Sequence, residues 1–120
     1  MRKIILDTNF LLIPVQFHVD IFEELKRAMD EPYTLFVLKG TIEELKRIKG
    51  KDRAAANVAL ELIKAQNINI IGNLRNNTVD DELLLLSREG YIVATQDALL
   101  RKRIGKGTIV LRQKKYIKVL

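Results

Sequence analysis

Five short apolar runs, with stretches of helical spacing between them, limit what this chain can fold into more than any other feature. They lie at Ile4-Ile5-Leu6, across Tyr33–Leu38, and over residues 67–71, 91–95 and 108–111. A run that is apolar at nearly every position suits a strand buried on both faces, the situation of a parallel sheet covered by helices. Strands that alternate with helices build βαβ units. The expected fold class is therefore α/β: a three-layer α/β/α sandwich around a central parallel sheet of about five strands. With 120 residues, enough for a hydrophobic core of its own, the chain is expected to form one domain over residues 1–120.

The intervening stretches read as follows. After Asp7 the apolar sequence Phe10-Leu11-Leu12-Ile13 runs up to Pro14, which is expected to end whatever conformation precedes it. A helix is expected to start near His18, with Val19, Phe22, Leu25 and Met29 on one face. A second helix carries Ile42 to Ile48, and a longer one starts at Gly50-Lys51-Asp52 with Ala55, Val58, Ala59, Leu62 and Ile63 inward. Residues 74–78 read as a polar, Asn-rich loop, Val79–Arg88 as a helix stopped by Gly90, and residues 97–104 as a short basic helix. The basic and apolar tail from Arg112 suits an edge strand or a surface facing nucleic acid. Leu83, Leu84, Leu85 and Leu86 cover both sides of a helix, one for the sheet and one for another element or subunit, so a homodimer is expected.

The acidic residues share a placement. Asp7 follows the first strand, Glu44 is expected in the first turn of its helix, Asp80 and Asp81 open theirs, and Asp97 follows the fourth strand. A parallel sheet gathers strand C-termini and helix N-termini along one edge, where α/β proteins bind ligands. Clustered carboxylates raise one another's pKa unless a cation lies among them, and hard oxygen donors suit Mg²⁺ or Mn²⁺, hence phosphoryl-transfer chemistry. Each acid also has a purely structural reading. Thr41-x-x-Glu44 and Thr78-x-x-Asp81 fit the capping-box spacing, and Asp97 suits a helix N-terminus. If Asp81 is occupied in such a box, Asp80 is the freer ligand. The 21 Lys and Arg against 15 Asp and Glu leave a net charge of +6, which favours a polyanionic partner. Lys46-Arg47 and Arg101-Lys102-Arg103 read either as solvated helix faces or as phosphate contacts. The absence of cysteine excludes disulfides and thiolate metal sites, and no apolar run approaches membrane-spanning length, so a cytoplasmic protein without membrane association is expected.

Ile5-Leu6-Asp7-Thr8-Asn9-Phe10, Ile42-Glu43-Glu44-Leu45, Val79-Asp80-Asp81-Glu82-Leu83 and Ile92-Val93-Ala94-Thr95-Gln96-Asp97-Ala98-Leu99-Leu100, taken as an ordered set over nearly the whole chain, resemble a PIN domain. Within that family the set is most similar to the rRNA-processing PIN nucleases of the small-subunit processome in an archaeal-type short form. The resemblance implies divalent-metal-dependent cleavage of single-stranded RNA, possible substrates including pre-rRNA. It makes Asp7, Glu44, Asp80 and Asp97 the catalytic and metal-binding set, with Asp81 as a further metal candidate and Thr8, Asn9 and Thr95 as supporting residues. Lys46, Arg47, Arg101, Lys102 and Arg103 become the RNA-binding candidates. Two alternatives stay open: a toxin ribonuclease restrained by an antitoxin, and a catalytically silent RNA-binding module.

Overall fold

At the centre of the sheet lies β1 (Arg2–Leu6), in a computed structural model of the chain that describes residues 1–72 and 77–120. It is flanked by β2 (Tyr33–Leu38) on one side and β4 (Ile92–Ala94) on the other, both parallel to it. β3 (Asn69–Ile71) extends the sheet beyond β2, and β5 (Thr108–Arg112) extends it beyond β4, again in parallel. The order among the described residues is β3-β2-β1-β4-β5-β6, one strand more than expected, because the tail from Tyr116 to Val119 (β6) folds back antiparallel to β5.

Strand alternation divides two hydrophobic cores. Ile4 and Leu6 of β1, with Ile92 and Ala94 of β4, face the larger core, while Ile5 and Val93 face the smaller. The larger core is covered by α1 (Thr8–Leu11), α2 (Ile13–Phe17), α3 (Ile21–Ala28), α4 (Lys39–Arg47) and α5 (Arg53–Ala65), through residues such as Phe10, Ile13, Leu25, Leu45 and Ala59. The smaller is covered by α6 (Val79–Arg88) and α7 (Ala98–Ile104), through Leu83, Leu86 and Leu100. Both strand faces are therefore dry, as the unbroken apolar runs require. No helix of the described residues is long and apolar enough to cross a membrane.

Several local expectations are corrected. The apolar segment after Asp7, whose conformation the sequence left open, forms α1 and α2, and Pro14, expected to end an element, lies in the first turn of α2, where a missing N–H costs nothing. His18 ends α2 in a left-handed conformation, with φ 55°, instead of starting a helix. The start of α3 belongs to Asp20, whose carboxylate accepts from the Phe22 and Glu23 amides at 3.0 and 3.1 Å. Helix α4 begins at Lys39, so Thr41 is buried inside it and forms no capping box, and Glu44 stands in the second turn. The third strand begins at Asn69 rather than 67, since Asn67 has φ 50° where α5 runs out. Gly90, with φ 97°, follows α6 as expected. Of the four leucines Leu83 and Leu86 are buried, Leu84 is half-buried and Leu85 is exposed. The expected loop over residues 74–78 falls mostly on residues 73–76, outside the described part.

The β6 edge is closed from outside. Ile117 of β6 turns its N–H and C=O away from β5; Glu24 of α3 accepts from that N–H at 2.9 Å, and Arg27 donates to the C=O at 2.7 Å. The two side chains are themselves paired at 2.9 Å, and Arg27, with the Ile117 amide, holds the Glu24 carboxyl below its ordinary pKa. One rung of a strand ladder is thus supplied by a helix, which blunts an edge that would otherwise recruit another strand. Glu24→Gln keeps the shape but weakens both contacts and should lower stability by about 1 kcal/mol. Urea unfolding checks this, and a midpoint equal to that of wild type would show that β5 alone holds β6.

Candidate active site

The sheet order places a topological switch point between β1 and β4: from β1 the chain builds outward through β2 and β3, then returns to build the other side. The crevice beyond strand C-termini at such a point is open, because the loops leave it in opposite directions. Asp7 follows β1 and Asp97 follows β4, so both acids arrive at this crevice. Glu44 reaches it from α4 and Asp80 from the first turn of α6. A cleft of about 340 Å³ is lined by Asp7, Thr8, Asn9, Leu12, Glu44, Ile48, Asp80 and Asp97.

Hydrogen bonds lock the floor of the cleft. The Asp7 amide donates to the Ala94 carbonyl at 2.9 Å, continuing the β1–β4 ladder into the loop. The Asp7 carboxylate accepts from the Thr95 hydroxyl at 2.7 Å and from the Thr8 amide at 2.8 Å. Thr95 Oγ1 in turn accepts from the Asp97 amide at 3.0 Å, so one hydroxyl fixes the spacing of the two loops. Asn9 Oδ1 accepts from the Gln96 amide at 2.9 Å, and the Gln96 side chain accepts from the Leu111 amide of β5 at 3.2 Å. Sequence reading missed Gln96, because a polar residue after a strand gives no sign that it ties the loop to a neighbouring strand. Thr8 Oγ1 donates to Glu44, tethering the α4 acid to the start of α1.

Capping and site roles coincide at two acids. Asp7 is the cap of α1, and Asp97 Oδ1 accepts from the Leu99 and Leu100 amides at 2.9 and 3.2 Å as the cap of α7. Asp80 and Asp81 diverge. Asp80 lines the cleft, whereas Asp81 donates its amide to the Thr78 hydroxyl at 3.2 Å and sets its carboxylate 3.7 Å from Arg103. Lys46, Arg47, Lys102 and Arg103 are exposed; Arg101 is half-buried, its Nε enclosed. Glu82, buried in the first turn of α6, does not line the cleft and was not among the residues the sequence singled out.

Among the described residues no cation lines the cleft. Asp7 is only 5% exposed, and burial pushes its pKa from 3.8 up to about 6 against the pull of the Thr95 and Thr8 hydrogen bonds; Asp80 and Glu44 add repulsion. Carboxylate oxygens from four chain segments around one buried anion form a donor set that fits Mg²⁺ or Mn²⁺. Among the described residues no three acidic side chains already stand at metal-ligating spacing, so gripping an ion requires side-chain movement. Asp80, exposed, is placed to swing, while Glu44 is tethered by Thr8 and Asp7 is held from two sides.

Comparison with known proteins bears on the family and the fold. A family model described as a PIN like domain matches residues 4–114. The chain is 33% identical to Ribonuclease VapC4 of Methanocaldococcus jannaschii over 130 aligned positions, covering 99% of this chain and 97% of that protein. It is 29% identical to the rRNA-processing protein FCF1 of Saccharomyces cerevisiae over 107 positions; these cover 87% of this chain but about half, 54%, of the yeast protein. The structure of the PIN domain endonuclease Utp24 superposes with a TM-score of 0.81 at 22% identity, covering 98% of this chain and 90% of that one, which is a likeness of fold.

The pKa of Asp7 makes stability depend on pH with a defined sign. Well below pH 3.8 the group is protonated in both folded and unfolded chains and costs nothing. Between 3.8 and about 6 the unfolded chain ionises first, so the fold loses stability as pH rises, by on the order of 3 kcal/mol once above the folded pKa. Asp7→Asn, which cannot ionise, should remove this decline, and millimolar Mn²⁺ should stabilise wild type at neutral pH more than it stabilises Asp7→Asn. Urea unfolding across this range checks both; equal pH slopes for the two proteins would show that Asp7 carries no buried-charge penalty.

Proposed function

The chain belongs to the PIN-like domain family, and from that premise we propose that it is a divalent-metal-dependent endoribonuclease that cleaves single-stranded RNA during ribosomal RNA processing in the cytoplasm. The observation that carries this reading is the meeting of Asp7, Glu44, Asp80 and Asp97, from four separate segments, around one cleft at the switch point. The rRNA assignment draws its support from the FCF1 relative.

In this mechanism Asp7, Glu44, Asp80 and Asp97 would hold Mg²⁺ or Mn²⁺. A bound ion supplies a water of lowered pKa and offsets charge developing on the phosphate. The chain's own residues do the positioning. Thr95 and the Thr8 amide fix the Asp7 carboxylate, and the Thr95 contact to the Asp97 amide keeps the α7 cap in register with it. Asn9 and Gln96 hold the loop after β4 against α1 and β5. Exposed Lys46 and Arg47 on α4, with Lys102 and Arg103 on α7, are the cations that would meet phosphates of the RNA.

A second reading, a toxin ribonuclease restrained by an antitoxin, is favoured by the nearly end-to-end match to a ribonuclease of similar length. Crosslinking to cellular RNA followed by sequencing separates the two: precursor rRNA is expected under the first, and its absence from the crosslinked RNA would leave the second. Dimerisation through the outer side of α6 is proposed from Leu84 and Leu85, and light scattering should report twice the chain mass; a monomer at high concentration would reject it.

Activity should require Mn²⁺ or Mg²⁺. Thr95→Val, which frees Asp7 and Asp97 from each other, should cost about 10–100-fold. Asp7→Asn and Asp97→Asn should cost more than that, and Asp81→Asn, whose carboxylate faces Arg103, should cost little. Cleavage of a labelled single-stranded RNA by wild type and these variants is the measurement. A wild type that binds RNA yet never cleaves it with either metal would leave the silent-module reading.

A further inference from the structure

Beyond Asp80 and Asp97 the cleft continues between α6 and α7 into a second hollow of about 430 Å³, lined by Leu99, Leu100, Lys102 and Arg103 as well as by those two acids. Its composition is mixed in a particular way. Leu99, on α7, is 75% exposed and presents a large apolar side chain to the hollow beside charged groups. Lys102 and Arg103 stand beside it, and the two acids shared with the proposed reaction centre form the other end. The volume lies within the range of pockets that accept small organic ligands.

Apolar shelf, flanking cations and continuity with the carboxylates together describe one nucleotide step. We infer that this hollow is a nucleoside subsite: Leu99 carries the face of an unpaired base next to the scissile phosphate, and Lys102 and Arg103 hold the adjoining phosphate. The inference rests on the nuclease reading and deepens it, because it gives a reason for preferring single strands. A base in a duplex has both faces covered by stacking and cannot lie on a side chain, whereas an unstacked base presents a free apolar face. Leu99 carries no donor or acceptor, so the shelf accepts every base and selects strandedness, not sequence. A protein partner fits less well, since one leucine among charges falls well short of the apolar area that a stable protein interface buries.

Binding can be read apart from cleavage. The full-length protein is titrated, in chelator at low salt, into a labelled single-stranded oligoribonucleotide and into one of equal length that lacks its bases. Wild type should prefer the base-bearing strand. Leu99→Ala should weaken binding to that strand about tenfold, the equivalent of burying part of one leucine side chain, and leave the abasic strand unchanged. Lys102→Ala should weaken both strands equally. Thermal melting confirms that the exposed Leu99 can be replaced without loss of fold. Equal loss on both strands, or none, overturns the subsite, as does a Leu99→Ala variant that binds RNA normally but loses self-association. If wild type cleaves RNA but shows no base-dependent effect of Leu99, the subsite fails and the nuclease stands. If the base-dependent effect is present without any cleavage, the subsite stands and the nuclease reading fails. No binding to either strand overturns both.

Discussion

Everything at the cleft depends on the parallel seam between β1 and β4. Ile4 pairs with Ile92 and Leu6 with Ala94, and the Asp7 amide extends the same ladder to the Ala94 carbonyl at 2.9 Å. The paired residues are some 88 positions apart in the chain, and what brings them together is the burial of both strands on both faces. Once the seam forms, Asp7 and Asp97 have little freedom left. The Thr95 hydroxyl then bridges one carboxylate to the other loop's amide. A carboxylate held in a dry sheet end in this way is costly for folding, and such cost is characteristic of groups kept for binding or chemistry.

A residue that caps a helix need not be lost to chemistry. A carboxylate has two oxygens and several lone pairs, so Asp97 can satisfy two α7 amides with Oδ1 and still line the cleft. Asp7 behaves alike at α1. The neighbouring pair at α6 shows the opposite partition: successive helix positions point about 100° apart, so Asp80 faces the crevice while Asp81 faces Arg103.

The two ends of the sheet are managed differently. At β6, Glu24 and Arg27 occupy the outward-facing groups of Ile117 and close the edge. At the other end β3 is only three residues long, which offers too short a template for another strand to dock on. Both sides contribute to the cleft: α1 and α4, on the larger core, bring Thr8, Asn9 and Glu44, while α6 and α7 bring Asp80, Asp97 and the exposed Leu99 of the adjoining hollow.

Local chemistry was enough to read the layered α/β architecture, since the runs at Ile4-Ile5-Leu6 and Ile92-Val93-Ala94 are apolar on both pleat faces and admit few other environments. Asp7 was legible for the same reason: a strand that stops at a carboxylate announces its C-terminal end. Sequence left α1 and α2 unassigned because an apolar run before a proline has no definite conformation until the core it fills is known, and it misread Thr41 because capping spacing recurs wherever helices begin with polar residues. The tie from Gln96 to Leu111, the closure of Ile117 by α3 and the hollow beside Leu99 lay beyond it. Each depends on contacts between residues distant in the chain, whose geometry is set by packing and not by any local preference. The sequence determined which elements form and which end of the sheet carries acid; the tertiary structure alone decided which side chains meet there, because only parallel pairing across the switch point makes them neighbours.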